Sequence, residues 1–125
     1  MKHFTETSWF EKLTDIVESR EASLTSLEDE DCVVLQTYTP EGEDWVEEFY
    51  FDGTIQDLAK QVQLRVENFD VDEEAMLWIP HRGENGIPNS IRALVDDAEW
   101  KLQSLKFFAL TVMELTAEIK RGEVQ

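Results

Sequence analysis

A chain of 125 residues with 28 acidic against 11 basic side chains carries a formal net charge of −17. That balance opposes direct contact with nucleic acid, whose phosphates would be repelled, and opposes an anionic membrane surface. Hydrophobic residues at 42% and aromatic residues at 10% still supply a core, which separates the chain from disordered acidic tails.

The length is that of one domain, residues 1–125. A single cysteine, Cys32, has no internal partner for a disulfide and suits a reducing compartment. Residues 1–10 hold no apolar run of signal-peptide type, and no stretch approaches the roughly 20 residues that span a bilayer. Cytoplasm is the expectation.

Taken in order, Trp9, Phe10, Leu13, Ile16 and Val17 recur at helical spacing and predict a helix over about residues 9–20. Ser8 is the expected cap, with Glu11 completing a capping box. Residues 21–31 read as a polar connection with room for one helical turn. Cys32–Tyr38 is rich in β-branched residues and predicts a strand. Pro40 and Gly42 mark a turn, and residues 44–52 predict a second strand. Alternation places Trp45, Phe49 and Phe51 on one face and Asp44, Val46, Glu48, Tyr50 and Asp52 on the other, with Glu47 out of place among the aromatics. A lone hairpin is marginal and leaves two open edges; residues 2–7 are a candidate third strand.

Thr54 caps a helix carrying Ile55, Leu58, Ala59, Val62 and Val66 to about residue 67. Asp70 and Glu73 resemble a second cap, opening a short helix that ends at Pro80. Residues 81–88 form a loop around Gly83 and Gly86. Asn89 or Ser90 starts a last helix of about 30 residues, roughly 45 Å long. Its stripe of Leu94, Val95, Ala98, Leu102, Leu105, Phe108 and Val112 exceeds what one small core needs, so either its end projects or it packs on a second copy. The expected fold class is α+β: one hairpin, with or without a third strand, on four helices.

Chemistry-bearing residues are few. His3 and His81 lack the spacing of metal ligands and read as solvated. Cys32 follows four acids that disfavour its thiolate, and reads as structural. The run Asp70–Glu74 fails as a calcium loop because Ala75 stands where a glycine is needed. Neither a nucleophile elbow nor a phosphate loop is present, and the adjacent Asp96 and Asp97 diverge on their helix. The expectation is a protein that is not an enzyme and uses no cofactor or metal.

The acid distribution is the informative signal. Between Glu28 and Asp57 there are 11 acids and no base; between Glu28 and Glu74, 16 acids face only Lys60 and Arg65, a net of −14. The other 78 residues carry 12 acids and 9 bases, a net of −3. Interspersed charge would serve solubility equally well, so concentration points to one negative face. The candidate binding residues are Glu28, Asp29, Glu30, Asp31, Glu41, Glu43, Asp44, Glu48, Asp52, Asp70, Asp72, Glu73 and Glu74. The expected partner is a basic protein surface, including that of a DNA-binding protein or nuclease for which Asp44, Glu48 and Asp52 imitate phosphates. Three alternatives stay open: a structural domain dimeric through the long helix or a sheet edge, a small-molecule or cation binder at residues 78–88, and charge serving solubility alone.

Residues 67–73, 76–79 and 86–99 resemble a loose family of small, uncharacterised acidic proteins of gut bacteria. The resemblance covers about residues 55–115. It implies a bacterial setting among phage and plasmid proteins, and it transfers no active residue.

Overall fold

A computed structural model describes residues 3–27 and 29–122. Helix α1 (Ser8–Glu18) leads into strands β1 (Ser23–Ser26), β2 (Cys32–Tyr38) and β3 (Asp44–Tyr50), followed by helices α2 (Ile55–Glu67), α3 (Val71–Leu77) and α4 (Ile91–Lys120). The fold is α+β. The strands form an antiparallel meander in the order β1-β2-β3, with Leu24 opposite Leu35 and Val33 opposite Phe49. Strand parity then sends Leu24, Val33, Leu35, Trp45 and Phe49 inward, where all five are buried.

The third strand comes from the segment read as a polar connection, not from residues 2–7. Leu24 is the reason: it reaches the core only if the chain extends alongside β2. Glu21, in the left-handed region at φ 62°, reverses the chain into that strand. Within residues 2–7, Lys2 lies outside the described residues and Phe4–Glu6 is a 3-10 turn. That turn drives Phe4 against Trp9, Phe10 and Phe51, closing one end of the core. The helix cap also moves by one residue: Thr7, in extended conformation, accepts from the Phe10 N–H at 3.3 Å, and Ser8 begins the helix. Thr54, Asp70 and Ser90 cap α2, α3 and α4 through their side chains.

The length of α4 is used within one chain. Leu94, Ala98, Lys101, Leu105, Phe108, Val112 and Leu115 follow one another at steps of four and three residues, and all are buried. The first turns pack with Ala75 and Ile87 in one small core; from Leu105 onward the helix packs on the sheet, α1 and α2 in the main core. Lys101 stands at the junction.

The loop before α4 is held against the β2–β3 turn at Gly86 (φ 84°), where a Cβ would lie 2.6 Å from the Gly42 carbonyl carbon and 2.7 Å from the Glu43 nitrogen. Gly42 has a similar φ of 93°, yet a Cβ there meets nothing within 4 Å. Gly42→Ala should therefore cost only the left-handed strain of about 1–2 kcal/mol. Gly86→Ala should cost clearly more, because the loop must also separate from the turn. Urea unfolding of both variants checks this order; equal losses would mean the loop does not seat there.

Candidate protein-interaction surface

The acids named from sequence divide into an interior set and an exterior one. Glu43 does not belong to the exterior: it is 4% exposed. It shares strand parity with Trp45, Glu47 and Phe49, and its N–H donates to the Thr39 hydroxyl at 3.0 Å, which rolls the turn over onto α4. There it meets Lys101, itself 1% exposed, whose Nζ lies 3.1 Å from Glu43 Oε1 and 3.0 Å from Oε2. Glu74 is a second correction: it is tucked toward the same ammonium at 3.2 Å. Asp97, one turn before Lys101, lies 4.0 Å from it. Trp78 covers the group, its ring centroid 5.0 Å from Nζ. A lysine ammonium thus fills the place a cation would take among three carboxylates.

Three negative groups around one positive group cannot all ionise comfortably in a buried site. Burial pushes the Glu43 carboxyl above its ordinary 4.5; Lys101 opposes this, and the neighbouring Asp97 reinforces it. Asp97 Oδ1 is buried without a hydrogen-bond donor, whereas Glu43 Oε2 lies against the Lys101 ammonium at 3.0 Å. The other inward acid, Glu47, is also neutralised. Arg65 donates to it twice, at 2.7 and 3.1 Å, and the Trp45 indole N–H donates at 3.0 Å.

What remains outside is the uncovered face of the sheet. Tyr38 pairs with Asp44, Gln36 with Val46 and Val34 with Glu48, and these side chains point away from the helices, as does Tyr50, whose partner Cys32 is itself buried. Asp44 and Glu48 are exposed, as are Val46, Tyr38 at 61% and Tyr50 at 56%. Gln36 donates to Asp44 at 2.7 Å and fixes that carboxylate on the face. At the far end, Glu30 from the β1–β2 turn joins Glu48 around Tyr50. The Tyr50 hydroxyl is pushed up by partial desolvation and then by Glu30 and Glu48. The Cys32 thiol is pushed up by burial and then by the same two carboxylates. Cys32 is therefore a poor nucleophile inside the sheet.

The other acids have different stations. Asp29 and Asp31 are exposed in the β1–β2 turn, and Asp31 lies 3.9 Å from His3. Glu41 is exposed at the β2–β3 turn. Asp52 accepts from the Thr54 N–H at 2.9 Å and its hydroxyl at 2.6 Å, which holds its carboxyl below the usual range and spends it on the start of α2. Asp70 caps α3, with Asp72 and Glu73 exposed in its first turn, on a helix packed against α4 rather than on the sheet. Glu28 lies outside the described residues. The 78–88 segment contributes Trp78 to the lysine site and Ile87 to the small core.

Sequence reasoning missed Lys101, Arg65 and Asp97. Lys101 was detectable, because it falls on the four-three stripe of α4 between Ala98 and Leu105. Comparison with family models, curated proteins and solved structures gives no match. Among the described residues no helix is long and apolar enough to cross a membrane.

Two variants test the interior set. Lys101→Met leaves three carboxylates without their cation and should cost about 3–5 kcal/mol in urea unfolding. Glu43→Gln keeps a polar group of the same shape and should stay within about 1 kcal/mol of the parent at neutral pH. The pH dependence follows from the raised carboxyl. The folded chain holds the Glu43 proton above 4.5, where the unfolded chain releases it. This contribution is complete below 4.5 and is lost as pH rises through the folded value, so stability falls with pH across that window. Glu43→Gln should flatten that part of the pH–stability curve; an unchanged slope would place the proton elsewhere.

Proposed function

We propose that this chain is a non-enzymatic binding protein whose uncovered sheet face receives a basic protein surface. The observation that carries the reading is the outer face of β2 and β3. It presents Asp44 and Glu48, carboxylates with no ion pair among the described residues, beside the exposed Tyr38, Val46 and Tyr50. Tyrosines with an apolar body and a polar tip are favoured at protein contacts, and arginine in particular stacks on their rings. Carboxylates between them steer a cationic partner and fix its orientation.

Glu43, Glu47 and Glu74 are neutralised inside, so they add nothing to this recognition. The negative potential comes from Asp44, Glu48 and Glu30, with Asp29, Asp31 and Glu41 at the two ends. A DNA-binding protein is the sharper form of the partner, since its cationic groove is built to meet regularly placed anions. Asp44 and Glu48 stand four residues apart on one strand, about 13 Å.

Reversing two charges on the face, Asp44→Lys with Glu48→Lys, should abolish retention of basic proteins on the immobilised chain at 50 mM salt. Reversing two exposed acids of α4, Glu99→Lys with Glu114→Lys, makes the same change in net charge and should leave retention intact. Elution of the retained proteins by duplex DNA supports the sharper form. Equal loss in both double variants would reduce the effect to bulk charge and overturn the reading. Light scattering on each sample separates partner capture from pairing of the chain with itself along β3.

A further inference from the structure

The inner side of the sheet is not fully closed. Between α1, the inner face of β2 and β3, and α4 lies an open cavity of about 290 Å³. Its walls are Leu35, Trp45, Trp100, Phe107 and Phe108, and Trp45 and Trp100 meet edge to face at 5.9 Å. Its mouth carries Arg20, Gln103 and Ser104. We propose that this cavity binds a small amphiphilic carboxylate, with its apolar body against the tryptophans and its carboxylate on Arg20.

Three observations support that ligand class. First, the walls are aromatic and aliphatic, as in most small-ligand sites, and the volume falls just below the roughly 300–1,000 Å³ that accommodates drug-sized molecules. The occupant is therefore small. Second, Arg20 is the one charged side chain on the lining, and it is anionic ligands that it suits. Its guanidinium carbon lies 3.5 Å from the Phe107 ring centroid, so the group is held by stacking rather than by a carboxylate. Stacking leaves the N–H edges of the plane free, the geometry for bidentate recognition of a carboxylate. Among the described residues Arg20 forms no ion pair, although acids outnumber bases 28 to 11 in the chain. Third, the Gln103 and Ser104 side chains, one turn along α4 from Phe107, make no hydrogen bond to any described residue. Both can donate to the second carboxylate oxygen.

The site lies on the face of the sheet opposite Asp44 and Glu48, so it stands or falls apart from the basic-partner reading. It also differs from the 78–88 segment, where the sequence left a small-molecule or cation site open as an alternative.

The two wall tryptophans make the test direct. Titration with octanoate should change the intrinsic fluorescence saturably and shift amide resonances of α1 and α4 around Arg20 and Ser104. Arg20→Met, which keeps the stem over Phe107 and removes the charge, should weaken octanoate at least about tenfold, a loss of about 1.4 kcal/mol. Ser104→Phe fills the mouth and should abolish binding; circular dichroism confirms that each variant is folded, and if Ser104→Phe is not, Arg20→Met carries the test. Octylamine and octanol, with the same chain and no carboxylate, should bind at least tenfold more weakly than octanoate. The proposal is overturned if octanoate produces no saturable change up to millimolar concentration, if Arg20→Met binds it undiminished, or if octylamine or octanol binds as well. Asp44→Lys with Glu48→Lys should leave octanoate binding unchanged.

Discussion

The arrangement of the whole molecule depends on one buried ammonium. Lys101 stands halfway along α4, where the small core around Leu94, Ala98 and Ile87 gives way to the main core from Leu105 onward. From that point it reaches the β2–β3 turn through Glu43 and α3 through Glu74. Two segments far apart in sequence are therefore fixed to one helix by one charge. A leucine at residue 101 would continue the stripe and bury more apolar surface, but it could not choose among partners. Charge placed at the junction favours the packing that brings the turn and α3 to it, because any other leaves the ammonium buried without its carboxylates. Burial, reinforced by Asp97 and opposed by Lys101, raises the Glu43 carboxyl, so part of the pH dependence of stability originates at this junction.

The same logic divides the sheet. Its inward acids each have a cation, Lys101 for Glu43 and Arg65 for Glu47, because an unpaired carboxylate in that layer would cost several kcal/mol of desolvation. Among the described residues its outward acids Asp44 and Glu48 have none: Asp44 accepts from the Gln36 amide, and Glu48 lies against the Tyr50 hydroxyl. The difference between the faces is one of position along a two-residue period, not of composition: β3 reads Asp, Trp, Val, Glu, Glu, Phe, Tyr, with the burial alternating residue by residue.

This period explains what was legible in the sequence and what was not. The helices, the hairpin and the facing of Trp45, Phe49 and Phe51 followed from spacing alone, since apolar residues at 3.6 or 2 leave few other solutions. Strand β1 escaped because only Leu24 in Ser23–Ser26 is apolar, and one residue sets no period. The location of Glu43 escaped because an acid beside a glycine turn was assigned to solvent on chemical grounds, although its parity with Trp45 sends it inward. Lys101 escaped in the same way on α4, where Leu102 was taken for the stripe in its place. In both cases the periodic signal was right and the assumption about charge was wrong. The cavity at Arg20 was invisible for a different reason: its walls come from α1, two strands and α4, and no local pattern encodes the gap between them.

The exterior charge then needs its own physical account. Negative charge on one face repels itself and lowers the stability of the compact state. Asp52 offsets some of that by accepting two hydrogen bonds from Thr54, Asp70 by capping α3, and Glu43, Glu47 and Glu74 by pairing inside. Asp44, Glu48 and Glu30 have no such compensation. Desolvation, then Glu30 and Glu48, raises the Tyr50 hydroxyl and the Cys32 thiol, in keeping with a negative potential at that end of the face. A basic surface docked on this face would remove the repulsion and cover Tyr38, Val46 and Tyr50 in the same step. The electrostatic cost carried by the free chain is thus the same energy that would favour the partner, and the sheet face is where the molecule has left it unspent.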